Sequence, residues 1–228
     1  MPSPVNGYAG APQTIYSDHF LDSLPLDGPV GYKLEAPPVH PILAGITLPG
    51  FGNDHGGWMK AFPNLQVVIA LLRDGFHEQS PGGRVRLRRD GSPVLDYRLD
   101  EYLFEGMRRA FLSMAEIQFA AGAKQVMALH EDATASMTWP QARAAIGALS
   151  IRALGTRVVS AHVMGGCAMG NDPGNSVVDE TGRHHHVANL SIHDGSIFPT
   201  SIGANPQLSI YGLTARLATQ LAKSLGRG

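Results

Sequence analysis

Cysteine is nearly missing from this sequence: Cys167 stands alone among 228 residues. A single thiol excludes an intrachain disulfide framework and is compatible with a reducing compartment, so a cytoplasmic location is expected. Apolar runs near the roughly 20 residues that cross a bilayer are also missing. Met1-Pro2-Ser3-Pro4 lacks the basic and apolar regions of a secretory signal. Charge of one sign is not in excess, since 18 Lys and Arg face 19 Asp and Glu, and nothing global points to nucleic acid or an anionic surface. Arg84, Arg86, Arg88 and Arg89 cluster locally, but their alternation reads as one solvated face of a strand. No His-Glu-x-x-His, Cys-x-x-Cys or Gly-x-Ser-x-Gly occurs, which removes the common zinc and serine-hydrolase templates. Nor is there a Gly-x-Gly-x-x-Gly turn. Gly50-Phe51-Gly52 is followed by Gly56 at the wrong spacing, so no nest for a dinucleotide pyrophosphate is encoded.

What is present reads as globular, with 43% hydrophobic and 16% charged residues and enough chain to bury a sizeable core. Residues 1–30, rich in Gly and Pro, read as an irregular lead-in. His40 to Ile46 suits a short strand, Pro49 to Gly57 a loop, and the β-branched run Leu65 to Leu72 a buried strand. Val85–Leu87 and Val94–Leu99 flank Asp90-Gly91, which predicts a hairpin. Asp100 is a helix N-cap type. Leu103, Met107, Ala110, Phe111, Met114 and Gln118 follow at helical spacing, with Gly122 as the stop. Lys124 to Leu129 should return as a strand, and Thr138-Trp139-Pro140 opens a second helix. Late in the chain, Asn189 to Ile192 suits a short strand. Asn205 as N-cap, Pro206 at the first helical position and Leu213, Leu217, Leu221 and Leu225 at i+4 predict a terminal helix ended by Gly226. Strands with interspersed helices make an α+β layer.

Chemistry concentrates in three late segments. His162 lies in His162-Val163-Met164-Gly165-Gly166-Cys167-Ala168-Met169-Gly170, where glycines allow backbone to approach a flat ligand. A lone histidine is more often structural, yet these surroundings suit a buried ring. Asp194-Gly195-Ser196 ends the short strand and, taken alone, is an ordinary turn. Asn205, in Gly203-Ala204-Asn205-Pro206-Gln207, is by itself a helix cap. His184-His185-His186 invites a metal reading, but adjacent strand residues point to opposite faces, so no metal site is expected.

In that order the three segments resemble the C-terminal signature of the glucose–methanol–choline (GMC) family of FAD-dependent alcohol oxidoreductases. The match is a variant, because threonine often stands at the position of Gly166 and arginine at that of Ala168. The likeness is specific over 157–228 and weaker before it. It implies FAD as cofactor, His162 as the base for a substrate hydroxyl, and Asn205 as the group that orients the oxygen. Imidazole suits that task because it accepts a proton near neutrality. It further implies cofactor contacts at Asp194, Gly195, Asn205 and Pro206. The implied layout is an antiparallel-sheet substrate-binding domain over 1–156, with helices. Residues 157–228 would be a catalytic segment whose strand and helix complete an FAD-binding domain. The partners so implied are a small-molecule alcohol and an N-terminal FAD-binding (Rossmann) part, in cis or as a separate chain. An inactive truncated fragment and a non-catalytic binding module remain alternatives.

Overall fold

The computed structural model describes residues 1–11, 15–80 and 82–226; of the expected lead-in, Pro12, Gln13 and Thr14 lie outside these. The chain divides into two compact units, Met1–Leu72 with Leu99–Val159, and Arg73–Arg98 with Ser160–Gly228. In chain order the first carries β1 (Tyr16–Ser17), α1 (His19–Asp22), β2 (Tyr32–Glu35), α2 (Pro41–Thr47), α3 (Gly52–Lys60) and β3 (Ile69–Leu72). The second carries the hairpin β4 (Gly83–Leu87) and β5 (Pro93–Tyr97). The chain then returns to the first unit for α4 (Glu101–Ala120) and α5 (Trp139–Ala148), and ends in the second with α6 (Gln207–Leu225). Helices with small antiparallel sheets make the α+β class expected from the sequence.

The core of the first unit follows from two well-signalled helices. Asp100 accepts a hydrogen bond from the Leu103 amide at 3.3 Å and opens α4, satisfying one of the donors that a helix start leaves open. Gly122, at φ +87°, follows the helix end. Leu103 and Met107 pack on Val30 and Ile151, and Ala110 packs on Tyr32 and Leu34 of β2. Thr138 caps α5 through the Gln141 amide at 3.4 Å, with Pro140 in the first turn. Ala142 and Ile146 of α5 meet Ala115 of α4. The Arg108 guanidinium donates to the carbonyls of Ile146, Gly147 and Leu149 at 2.9–3.1 Å, a cation placed where a helix end is electronegative.

Strand order β1-β2-β3 is antiparallel throughout, with Tyr32 opposite Leu72 and Leu34 opposite Ala70. Alternation then sends Tyr32 and Leu34 to α4 and puts Lys33 and Glu35 on the opposite face. Both are buried, and Lys33 Nζ sits 3.5 Å from Glu35 and 3.7 Å from Asp18. A buried charge needs such pairing to be tolerated.

Several local expectations change, beginning with the lead-in, which holds β1 and α1. His40 to Ile46 is helix α2, not strand: Pro41 occupies its start and the His40 ring accepts from the Ile42 amide at 3.3 Å, while the apolar run is too short for periodicity to decide. The loop expected over Pro49 to Gly57 contains most of α3, although glycine disfavours helix by about 1 kcal/mol each. His55 Nε2 lies 2.8 Å from the Gly45 carbonyl and ties α3 to α2. A helix precedes Gly50-Phe51-Gly52, so no strand-to-helix turn forms there. Lys124 to Leu129 and Asn189 to Ile192 contribute only single bridges, Val126 to Ser136 and Arg183 to Ser191, because an extended segment becomes a strand only where a neighbour supplies a ladder.

Candidate active site

The second unit joins two of the three motif segments through the backbone. Gly165 N donates to Gly195 O at 3.2 Å, Cys167 N to Ser196 O at 2.9 Å, and Met169 N to Ile197 O at 2.8 Å. The segment after His162 therefore runs alongside the segment after Asp194. From α6, Thr214 Oγ1 donates to His193 O at 3.0 Å. Beneath these bonds Val178, Ile197 and Leu217 form an apolar cluster with Met169, Ile192, Phe198 and Leu213. Gly195 is the crossing point. A Cβ there would stand 3.0 Å from Ile210 Cδ1 of α6 and 3.4 Å from Val163 O, tighter than ordinary packing on one side.

The individual residues occupy distinct positions around that crossing. His162 is half-buried in an irregular stretch, with the exposed side chains of Val158, Val159 and Val163 nearby in sequence. Gly165 and Gly166, three and four residues on, have φ +81° and +100°, a conformation that side chains resist, so backbone is bare there. Asp194 Oδ1 accepts from Ser196 N at 2.8 Å and from Ser196 Oγ at 2.5 Å. The Ser196 hydroxyl and then its amide hold the Asp194 carboxyl below its ordinary value, against a smaller opposing effect of burial. Asp194 thus caps the 3₁₀ turn Gly195–Ile197.

Asn205 is half-buried and stands immediately before the buried Pro206. The terminal helix opens one residue later than its sequence signals suggest. Pro206 holds the cap position and accepts from Ile210 N at 2.9 Å, and Gln207 is the first helical residue. Pro206, at the cap position, makes no side-chain hydrogen bond to this turn. A 19-residue helix presents partial positive charge at such an end, which favours an electron-rich group by roughly 0.3–1 kcal/mol. Such a turn favours a ring that gains negative charge on reduction, as a flavin does, and bare backbone at Gly165 and Gly166 would let a flat ring approach closely. The residues present fit that group.

Nearby polar residues serve structure. His185 Nε2 lies 2.9 Å from Ser176 Oγ and 3.0 Å from Gly170 O, tying the loop that follows the His162 segment. His184 Nδ1 accepts from the His186 and Val187 amides. Among the described residues no group of three or more His, Cys, Asp or Glu is placed to hold a metal ion. Asp179 Oδ1 accepts from Thr181 and Arg183. Burial raises its pKa, but those bonds and the charge of His185 outweigh it and leave the carboxyl below its ordinary value. Sequence reading missed two braces, Ser196 on Asp194 and Thr214 on His193. The Asp-x-Ser spacing could have revealed the first; nothing local signals the second.

Comparison with known proteins bears on this arrangement. Residues 79–214 match the family model described as GMC oxidoreductase, which takes in the His162, Asp194 and Asn205 segments. A long-chain-alcohol oxidase of Arabidopsis thaliana is 27% identical over 188 residues, 79% of this chain and 25% of that protein. An uncharacterized GMC-type oxidoreductase of Mycobacterium tuberculosis is 28% identical over 197 residues, 86% of this chain and 30% of that protein. Over a shorter stretch of 81 residues, 35% of this chain, the identity to the 6'''-hydroxyparomomycin C oxidase of Streptomyces lividus reaches 41% and covers 15% of that protein. The chain thus spans 25–30% of the length of the first two relatives. With the family's matched region covering more than half of its residues, this chain belongs to the GMC oxidoreductase family.

Proposed function

We propose that this chain carries the catalytic segment of an FAD-dependent oxidoreductase acting on CH–OH donors. Residues 157–228 would hold that segment, and residues 1–156 would be substrate-binding. The observation that carries the reading is that the backbone of residues 165–169 bonds to that of residues 195–197, with Ile210 of α6, five residues after Asn205, packed against Gly195. The imidazole of His162 takes the proton from the substrate hydroxyl oxygen, and Asn205 holds that oxygen in place without taking its proton. Asp194, Gly195, Asn205 and Pro206 are the cofactor contacts. When bound, the flavin supplies the two-electron acceptor, at N5, for the hydrogen leaving the alcohol carbon as hydride. The first turn of α6 favours negative charge next to it. The sequence encodes no glycine fingerprint of its own, so the reading requires an FAD-binding part in cis or as a separate chain.

The test is alcohol oxidation by the chain assembled with that FAD-binding part, with His162→Ala assayed in parallel. General-base catalysis contributes typically 10²–10⁴-fold, so turnover should fall by about that factor while assembly persists. Full turnover in the variant would remove His162 from its role. Assaying a long-chain alcohol beside a hydroxyparomomycin separates the two substrate types in the relatives' names.

A further inference from the structure

A cavity of about 380 Å³ opens between α5 and the stretch 126–136. It exists because the facing side chains are short. Ala142 and Ala145 of α5 line one side, and Val126, Ala128 and Ala133 line the other. Interiors otherwise pack to crystal-like density with few voids larger than a water molecule. The volume falls at the small end of the roughly 300–1,000 Å³ typical of small-molecule sites. Polar groups are few. Ser136, 7% exposed, lines the cavity, and its backbone N–H and carbonyl are both taken by Val126 at 2.9 Å. Its hydroxyl makes no hydrogen bond among the described residues, and a buried polar group of that kind calls for a partner. Asp132, Thr134 and Ser150, all exposed, line the open side. The buried ring of His130 ties two of them: Nε2 donates to the Ser150 carbonyl and Nδ1 accepts from the Asp132 amide, each at 3.1 Å. Arg152 meets the Asp132 carboxylate at 2.8 Å, so the opening carries no unmatched charge.

We propose that this cavity binds a small neutral molecule with an apolar body and one oxygen that hydrogen-bonds to Ser136. Each part of that description has its own cause. Walls of alanine, valine and isoleucine offer water no partner, so an apolar body that displaces water from them gains the free energy of burial. A charged ligand would give up its hydration and find no opposite charge free, because Asp132 and Arg152 already answer one another. The oxygen belongs at the buried end, where the Ser136 hydroxyl can donate or accept. The volume keeps the ligand compact. Every lining residue belongs to the first unit, whereas His162, Asp194 and Asn205 belong to the second. The assignment therefore stands apart from the flavin reading and survives if that reading fails.

The experiment titrates the whole chain, labelled at its alanine methyls, with hexan-1-ol and with hexane, and follows the methyl resonances by NMR. Hexan-1-ol should give saturable shifts at Ala128, Ala142 and Ala145. Ser136→Ala keeps the volume and removes the hydroxyl, so affinity for hexan-1-ol should fall about two- to tenfold, the weight of one hydrogen bond, while hexane binds as before. Ala145→Phe, at a half-buried position, should fill the cavity and abolish the saturable shifts for both, with the far-ultraviolet spectrum unchanged. Should that variant misfold, the Ser136→Ala comparison decides alone. Shifts that rise without saturating, shifts spread over alanines of the second unit, or unchanged hexan-1-ol affinity in Ser136→Ala would each overturn the proposal. So would a cavity that loses hexan-1-ol on assembly with an FAD-binding part, because protein side chains would then be its occupant.

Discussion

The two units are stabilised in different ways. In the first, Leu103, Met107, Ala110, Ala115, Ala142 and Ile146 line two long-signalled helices and bury against a sheet and loop. In the second, Val178, Ile197 and Leu217 are the buried apolar residues, and most of the remaining order comes from short polar bonds. Asp172, Asp179 and Asp194 each accept an amide two residues on. Asp90 does the same in the hairpin turn. Apolar burial scales with area and tolerates irregular shape; carboxylate-to-amide bonds are local, directional and dependent on ionisation. The unit bearing the candidate site is therefore the one whose backbone geometry is set most directly by titratable groups.

Truncations in the cores should give the largest effects and test whether one small cluster is equivalent to several. Leu217→Ala, at a side chain 1% exposed, is expected to cost about 2–5 kcal/mol. Leu103→Ala should cost a similar amount in the first unit. Denaturant melts followed by hydrogen exchange would locate each loss. If Leu217→Ala left exchange over residues 160–226 unchanged, the importance given to its cluster would be wrong.

Next comes Gly106→Ala in α4. Alanine raises helix propensity by about 1 kcal/mol, yet a Cβ there would sit 2.6 Å from Val30 Cγ1. Overpacking of that kind typically costs about 1–3 kcal/mol, so net destabilisation is expected in thermal unfolding. A more stable variant would show that the first unit's core is looser than its contacts imply.

Asp194→Ala should cost about 0.5–2 kcal/mol, as loss of a cap does. Asp194→Asn should retain most of that, because its amide oxygen can still accept from Ser196. The smallest effect separates the units by pH. Asp90, Asp179 and Asp194, each held below the ordinary 3.8, all lie in the second unit. A depressed carboxylate contributes stability in full above its unfolded value and loses it as pH falls through the folded one. Protection in the second unit should therefore weaken first below about pH 4. Earlier loss in α4 would reverse the comparison.

Much of the fold was legible wherever a local signal and a long apolar period agreed. Asp100 and Thr138 as caps, the Asp90-Gly91 hairpin turn and the leucine period of α6 are such places. Legibility failed at α2 and α3, where a short apolar run and a glycine-rich stretch carry no period that separates helix from loop. It failed also at 124–129 and 189–192, which lack a partner ladder. At the site, the three motif segments could be read, and so could the turn at Asp194. The brace from Thr214 to His193 joins residues 21 apart and could not.

The sequence by itself determined where α4 and α5 start, which faces of the major helices are apolar and where the hairpin turns. Those outcomes depend on interactions within a few residues, whose free energies a local pattern carries. Only the tertiary structure decided that the stretch after His162 lies along the turn at Asp194, and that Gly195 sits between Val163 and Ile210. Closing such long loops costs entropy that no local motif records, and packing around Leu217 offsets it only once all three segments are in place.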